Sequence, residues 1–398
     1  MNLRSSSPSG RVRLSPQHQD PRRTGHPWIY AGHIQDTLGV LQAGDVVDVY
    51  TATKQFCGRG LYNPHSKIRV RLLTDREEAI DEAFFHARLL SAFRLRQRLT
   101  LKSNAYRLVY GESDLLPGLV VDQYHDIAVM QTLSYGLDCR KDLLADVLVE
   151  ARSLRAVYLR NDAKSRALEG LPLERACLRG TVTAPIEISE GHAEFLVDVV
   201  EGQKTGWFCD QRENRFATAP LGKDLDILEV FCHTGAFGIQ AALQGARSVE
   251  GLDASEAALG FARRHATMNK VDNICRYRQA DAFDELRVLE QSGRRYGMVI
   301  LDPPAFARSR QAVRHALAGY KDLNLRAFRL LAPEGFLVSC SCSQHVPQAE
   351  FWDVILTAAR DARRTVRLIE QRSQGPDHPV LGAMPETRYL KCFLVQVM

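Results

Sequence analysis

The chain has 398 residues, 25% of them charged, and a formal net charge of +5, which permits a nucleic-acid partner without arguing for one. No apolar run approaches the ~20 residues that span a bilayer, and the Ser- and Arg-rich start lacks the apolar segment of a secretory signal. Nine scattered cysteines without a C-x-x-C pair point to a reduced, cytoplasmic chain with no metal cage.

Residues 1–11 read as a short disordered arm. Residues 12–75 read as a β-rich module, with a turn and alternating strand over Gly44 to Tyr50 and strands over Phe56 to Tyr62 and Ile68 to Leu73. Arg22, Arg23, His26, Trp28 and Tyr30 lie close together, and such interleaving of basic and aromatic residues can hold phosphate and stack on a base. Arg22, Arg23 and Trp28 are therefore candidate RNA contacts; alternatively, Trp28 and Tyr30 fill a small barrel and the arginines are solvated.

Residues 76–189 read as an α+β module without chemistry of its own. Its spacing predicts a helix over Glu82 to Leu99, strands over Tyr106 to Tyr110, Gly118 to Tyr124 and Ile127 to Leu133, a helix over Arg140 to Leu154 and a strand over Ala156 to Arg160. Residues 190–398 open with a strand, Glu194 to Val200, and a polar segment running from Gly202 into a helix start at Asp210 to Arg215. Phe208 and Gln211 of that segment are candidates for one wall of a cofactor pocket, unless the segment merely connects.

The core of the last domain is Leu225 to Asp253. An apolar strand, Leu225 to Phe231, breaks into His233-Thr234-Gly235-Ala236-Phe237-Gly238, a helix follows over Ile239 to Leu243, and a second strand, Ser248 to Leu252, ends on Asp253. This order holds a nucleoside at the carboxyl ends of parallel strands, with a terminal acid for the ribose hydroxyls. The glycines depart from G-x-G-x-x-G, and S-adenosylmethionine (SAM) fits better than a dinucleotide. Thr234, Gly235, Phe237 and Gly238 would take its methionine end and Asp253 its ribose. The alternative is an ordinary βαβ unit in which Asp253 caps the next helix.

Further on, Ser255 caps a helix over Glu256 to Asn269, and a short strand, Arg276 to Gln279, leads to Asp281, placed to meet an adenine amino group. The apolar strand Tyr296 to Leu301 runs into Asp302-Pro303-Pro304-Ala305-Phe306. A helix over Gly319 to Leu331, a strand over Gly335 to Ser339, a helix over Phe351 to Ala362 and strands over Val366 to Gln371 and Tyr389 to Val397 complete an α/β domain. Acids at successive strand ends, Asp253, Asp281 and Asp302, point together to a SAM-binding methyltransferase.

The acceptor is read from the last strand ends. The prolines fix a rigid turn that holds Asp302 and Phe306 at the pocket mouth, with Pro303 and Pro304 against the substrate. Asp302 can bond a base edge or contribute to the cofactor site, and Phe306 can stack. Methylating C5 of a pyrimidine requires a thiolate to add at C6, and Cys342 is the candidate nucleophile, although a buried structural role is the usual fate of a free cysteine. Cys340, two residues back, is the weaker candidate.

HPWIYAG, GESDLLPGLVVD, KTGWFCDQRENR, LDPPAF, GYKDLN, SCS, DHPV and YLK, spread over nearly the whole length, resemble the bacterial 23S rRNA (cytosine-C5) methyltransferases of the PUA-plus-Rossmann type. The resemblance implies a multidomain α/β chain: an RNA-binding PUA-like β-barrel, a central α+β module and a C-terminal Rossmann-like class I SAM-dependent methyltransferase domain. It implies a cytosine in 23S rRNA, or in a large-subunit precursor, as acceptor, Cys342 as the nucleophile, and it allows a homodimer. Methylation of another rRNA base such as guanine, or a non-catalytic SAM-binding RNA-binding protein, are the alternatives.

Overall fold

The computed structural model describes residues 7–99, 101–307 and 309–398, so residues 1–6 of the expected arm lie outside it. Gly10 and Arg11, the end of that arm, already belong to a strand, Gly10–Leu14. Two units divide the chain. One takes everything up to Ile188 with Val197–Cys209 and Pro376–Thr387; the other takes Ser189–Leu196, Asp210–Gly375 and Arg388–Met398. The β-rich and central modules thus share a unit, together with two stretches from beyond residue 190.

In the first unit, a six-stranded sheet runs in the order Trp28–Tyr30, Ile68–Thr74, Phe56–Tyr62, Val46–Tyr50, Gly10–Leu14, Ile34–Leu38. Val12, Leu14, Ile29, Val47, Val49 and Val70 alternate inward to make its core. A five-stranded sheet follows, Glu174–Arg179, Ala156–Asn161, Ile127–Thr132, Leu119–Tyr124, Ala105–Tyr110. Helices Glu82–Arg98 and Lys141–Arg152 share its core through Phe85, Leu89, Leu144 and Leu148.

Buried polar joints knit this unit. Glu169 accepts from Arg71 (2.7 Å), Asn63 (2.9 Å) and Ser66 (2.5 Å). Trp28 donates its indole N–H to Glu112 at 2.9 Å. Arg96 is paired with Asp114 (2.5 Å) and donates to the Asp377 carbonyl (2.8 Å). Thr205 bonds Asp122 at 2.5 Å, and the Tyr124 hydroxyl lies 2.9 Å from Thr205.

The second unit is built on seven strands: β1 (Asp226–Val230), β2 (Ser248–Asp253), β3 (Cys275–Gln279), β4 (Tyr296–Leu301), β5 (Leu331–Ser341), β6 (Val366–Arg372) and β7 (Lys391–Val397). Their order is β3-β2-β1-β4-β5-β7-β6. The first five are parallel, and β7 runs antiparallel to both its neighbours. Helices α1 (Ala236–Leu243), α2 (Glu256–Met268), α3 (Ala282–Gln291), α4 (Val313–Leu330) and α5 (Gln348–Asp361) connect them. Leu286 and Leu289 of α3, Leu323 and Phe328 of α4, and Phe351 and Ile355 of α5 pack with Leu228, Val299 and Leu337 in one core. From β1 the chain moves outward to β2 and β3, then returns to place β4 on the other side of β1. In open α/β sheets such a reversal, here outside the carboxyl ends of β1 and β4, is where ligands bind.

One buried side chain in α2 ties the turn after β1 to Leu196, on the strand Ala193–Val197 that precedes the sheet. His265, 0% exposed, lies with Nδ1 3.0 Å from the Thr234 carbonyl, while Nε2 accepts from the Leu196 amide at 2.9 Å. This pattern suits the neutral ring, and burial lowers the His265 pKa from 6.5 to about 4. Unfolded chains take up this proton near pH 6.5 and the folded chain resists it, so stability falls as pH drops from 6.5 through 4. The loss amounts to about 3 kcal/mol. In urea titrations from pH 7 to 4 we expect His265→Gln to be less stable at pH 7 but to lose less stability on acidification than the parent; parallel losses would refute this role.

Candidate active site

β1 carries a single charged residue in its buried run, Glu229, 2% exposed. Its carboxyl accepts the amides of Phe237 (3.2 Å) and Gly238 (3.0 Å). These are first-turn donors of α1, which a helix leaves unpaired, so the strand caps the helix from beneath. A Cβ on Gly238 would stand 2.6 Å from Glu229 Oε2. Gly235 has φ +78°, and a Cβ there would meet the Tyr277 hydroxyl at 2.6 Å. Both glycines are therefore required by close approach, but of the protein's own groups. Burial raises Glu229 to about 8 against the two amide bonds, and neighbouring Asp302 adds to the rise. Beside it, Arg215 forks onto Glu190 at 2.6 and 2.5 Å in a fully desolvated pair.

The connection from β1 to α1 is strained. Phe231 (φ +61°) and His233 (φ +51°), neither of them glycine, sit in the left-handed region. Asp253, half-buried at the end of β2, accepts the His233 amide (2.8 Å) on one oxygen and the Ser255 amide (2.9 Å) on the other. A carboxylate offers about four acceptor positions, so this one keeps capacity for the two hydroxyls of a ribose. Asp281 is exposed at the end of β3 and caps α3, one oxygen accepting Phe283 (2.9 Å) and Asp284 (3.1 Å). The Thr234 side of the turn is pinned by His265.

At the end of β4, Asp302 accepts from Gln211 Nε2 at 2.9 Å. Gln211 in turn accepts from Asn214 (2.6 Å), whose oxygen takes a bond from Arg372 (3.1 Å). Pro303 is buried and Pro304 exposed. Cys342 is half-exposed just past the end of β5, and its Sγ lies 3.9 Å from the Pro303 carbonyl. Cys340 is fully buried opposite Cys392, which with burial drives its thiol far up. The serines flanking Cys342 are held by one phenol: Tyr320 Oη lies 3.0 Å from Ser341 Oγ and 2.8 Å from Ser343 Oγ. Phe306 packs on Tyr320 (4.8 Å between ring centroids), its ring half-buried.

Gln211, Thr234, Gly235, Phe237, Gly238, Asp253, Asp281, Asp302, Pro303, Pro304, Phe306 and Cys342 therefore belong to one unit, on the carboxyl edge of one sheet. Phe208 belongs to the other, where its ring carries the Lys204 ammonium at 4.3 Å. Trp28 is half-buried, bonded to Glu112 and covered by Arg71 at 5.5 Å. Arg22 forks onto Asp20, whereas the Arg23 side chain is exposed. Among the described residues no group of three or more His, Cys, Asp and Glu could hold a metal ion. Glu229, the Arg215–Glu190 pair and His265 escape the sequence reading. A lone acid inside the apolar run of β1 was the available signal for the first; the others carry none.

The reversal of strand order, the spare capacity of Asp253 and the acids on successive strand ends suit a nucleoside-bearing methyl donor. Residues 12–75 match the model of the PUA-like domain and residues 221–370 that of the methyltransferase domain. A ribosomal RNA large subunit methyltransferase I of Pseudoalteromonas atlantica is 39% identical, covering 98% of this chain and 100% of its own length. Among solved structures, a Streptococcus mutans protein described as a SAM-dependent methyltransferase superposes with a TM-score of 0.83 at 18% identity, over 97% of this chain and 100% of its own. A methyltransferase structure in complex with SAH gives 0.84 at 19% identity with the same coverage. At such identities the likeness speaks to fold: a PUA-like domain joined to a class I methyltransferase domain. The methyl donor is S-adenosylmethionine, as the sequence led us to expect, and the chain belongs to the ribosomal RNA large subunit methyltransferase I family.

Proposed function

We propose that this chain methylates C5 of a cytosine in 23S rRNA, free or within a large-subunit precursor, through a covalent adduct on Cys342. The observation that carries this reading is the half-exposed Cys342 thiol against the Asp-Pro-Pro turn, 3.9 Å from the Pro303 carbonyl. A ring-nitrogen acceptor would need no thiol there.

SAM, when bound, supplies an electrophilic methyl group. Asp253 would hold its ribose, Asp281 its adenine, and the turn from Thr234 its methionine end. Gln211 fixes one oxygen of Asp302 and so sets the direction in which that carboxylate meets the base edge. The Cys342 thiolate forms an S–C6 bond, and the C5–C6 π pair becomes nucleophilic at C5. A C5–CH3 bond would form there as the methyl group's bond to the donor sulfur breaks, its electron pair staying on sulfur and S-adenosylhomocysteine leaving. Loss of the C5 proton and breakage of the S–C6 bond then restore the ring double bond and the thiolate. In the PUA-like domain, Arg23 is better disposed than the ion-paired Arg22 to meet phosphate.

Incubation with labelled SAM and unmodified 23S rRNA, followed by nucleoside mass spectrometry, should yield 5-methylcytidine; a methylated guanine would overturn the nucleophile. Cys342→Ala should abolish product while leaving the SAM dissociation constant within about twofold, since the thiol lies outside the residues assigned to the donor; persistent turnover would refute the adduct. Asp253→Ala should weaken SAM binding by about tenfold or more, the value of charge-assisted bonds to two hydroxyls; unchanged calorimetric affinity would remove Asp253 from the site.

A further inference from the structure

One charged side chain near the thiol has no part in this scheme. Lys391, the first residue of β7, pairs with Ser341 across the β5 ladder, and antiparallel partners project to the same face. The residue is buried, 6% exposed, and its ammonium donates to the carbonyls of Ser343 (2.6 Å) and Val346 (3.1 Å). Both acceptors lie on the segment that directly follows Cys342. An ammonium has three donors, and two are spent on neutral carbonyls. No carboxylate forms an ion pair with it among the described residues, and a buried charge without a counter-ion is costly. Burial draws the amine down to about 8, and the Cys342 thiolate acts the other way, favouring its charged form.

We propose that Lys391 is the counter-ion of the Cys342 thiolate, a positioning residue that keeps the nucleophile ionised and anchors the segment presenting it. The proposal rests on Cys342 being the nucleophile. Ionisation passes the thiol proton to solvent, and the ammonium keeps its own three. None of the following groups on the neighbouring elements supplies this charge. Asp302, next to Pro303 at the end of β4, is an acid. Tyr320 of α4, raised by burial and by Cys342, is a neutral phenol bonded to both flanking serines. Cys340 and Cys392, on β5 and β7, are buried thiols. Lys391 is the cation of the group.

The test is the pH dependence of Cys342 alkylation by iodoacetamide in the full chain, followed by peptide mass spectrometry. In the parent the thiol should titrate about one unit or more below the ordinary ~8.5. Lys391→Met should raise that midpoint by about one unit and slow alkylation near pH 7 about tenfold, with kcat falling and KM for rRNA unchanged, and Lys391→Arg should restore most of it. An unshifted midpoint in Lys391→Met would overturn the proposal. Should that variant fail to fold, a parent thiol titrating at ~8.5 or above overturns it without any substitution. The readout is independent of turnover: product formation by Cys342→Ala would refute the nucleophile, whereas the alkylation profile reports on the charge pair alone.

Discussion

The catalytic unit depends on a carboxyl buried beneath a glycine. Glu229 rises from the floor of the sheet into the first turn of α1, and it can do so only because Gly238 offers no Cβ at the point of contact. The contact fixes where α1 begins, and with it the path of the turn from Phe231 to Gly235. That path determines which way the His233 amide points, and the His233 amide in turn orients Asp253. A ribose-binding acid on one strand is thus aimed by a buried acid on its neighbour. The strain in the turn persists because it is held from several directions: Glu229 beneath, Asp253 beside it and His265 behind.

The motifs that mark this chain divide by physical role. Several are joints. The tryptophan of HPWIYAG meets the glutamate of GESD, the threonine of KTGW meets the aspartate that ends PGLVVD, and the aspartate of DHPV receives Arg96 and the Arg107 amide. Each is a polar group wholly or partly withdrawn from water on condition of finding its partner, which makes the residue identity strict without any chemistry. LDPPAF and SCS meet at a single edge, where Pro303 and Cys342 touch. YLK brings a buried ammonium to that edge, and as a sequence it reads merely as the opening of a strand.

Legibility followed the strength of the apolar pattern. Phe56–Tyr62 and Tyr296–Leu301 could be drawn to the residue because their inward runs are continuous and their ends are marked by turns. Ala282–Gln291 is absent from the sequence reading: its buried residues are only Ala282, Leu286 and Leu289 among charges, and Asp281 reads as a ligand although it is also the cap. Glu174–Arg179 is a sheet edge without a fully buried residue, and Gly10–Leu14 is too polar to separate from an arm. The two cysteines of SCSC-type spacing read as neighbours on one face. Strand alternation stops at Ser341, however, so Cys340 turns into the sheet while Cys342 emerges at its rim. The bonds from Gln211 to Asp302 and from Lys391 to Ser343 join positions far apart in the chain, and nothing in the local sequence announces them.

The place of β7 has a consequence for how the molecule is made. Lys391–Val397 follows every other strand in the chain, yet it lies inside the sheet, between β5 and β6. Before it is translated, β6 has no hydrogen-bonded neighbour at all, and one edge of β5 is open. A nascent chain that has emerged only through β6 therefore presents an open edge of β5 and a wholly unpaired β6, the kind of surface that chaperones shield and that pairs wrongly between chains. The same late strand delivers the ammonium beside the thiol, so assembly of the sheet and completion of the nucleophile's surroundings are one event.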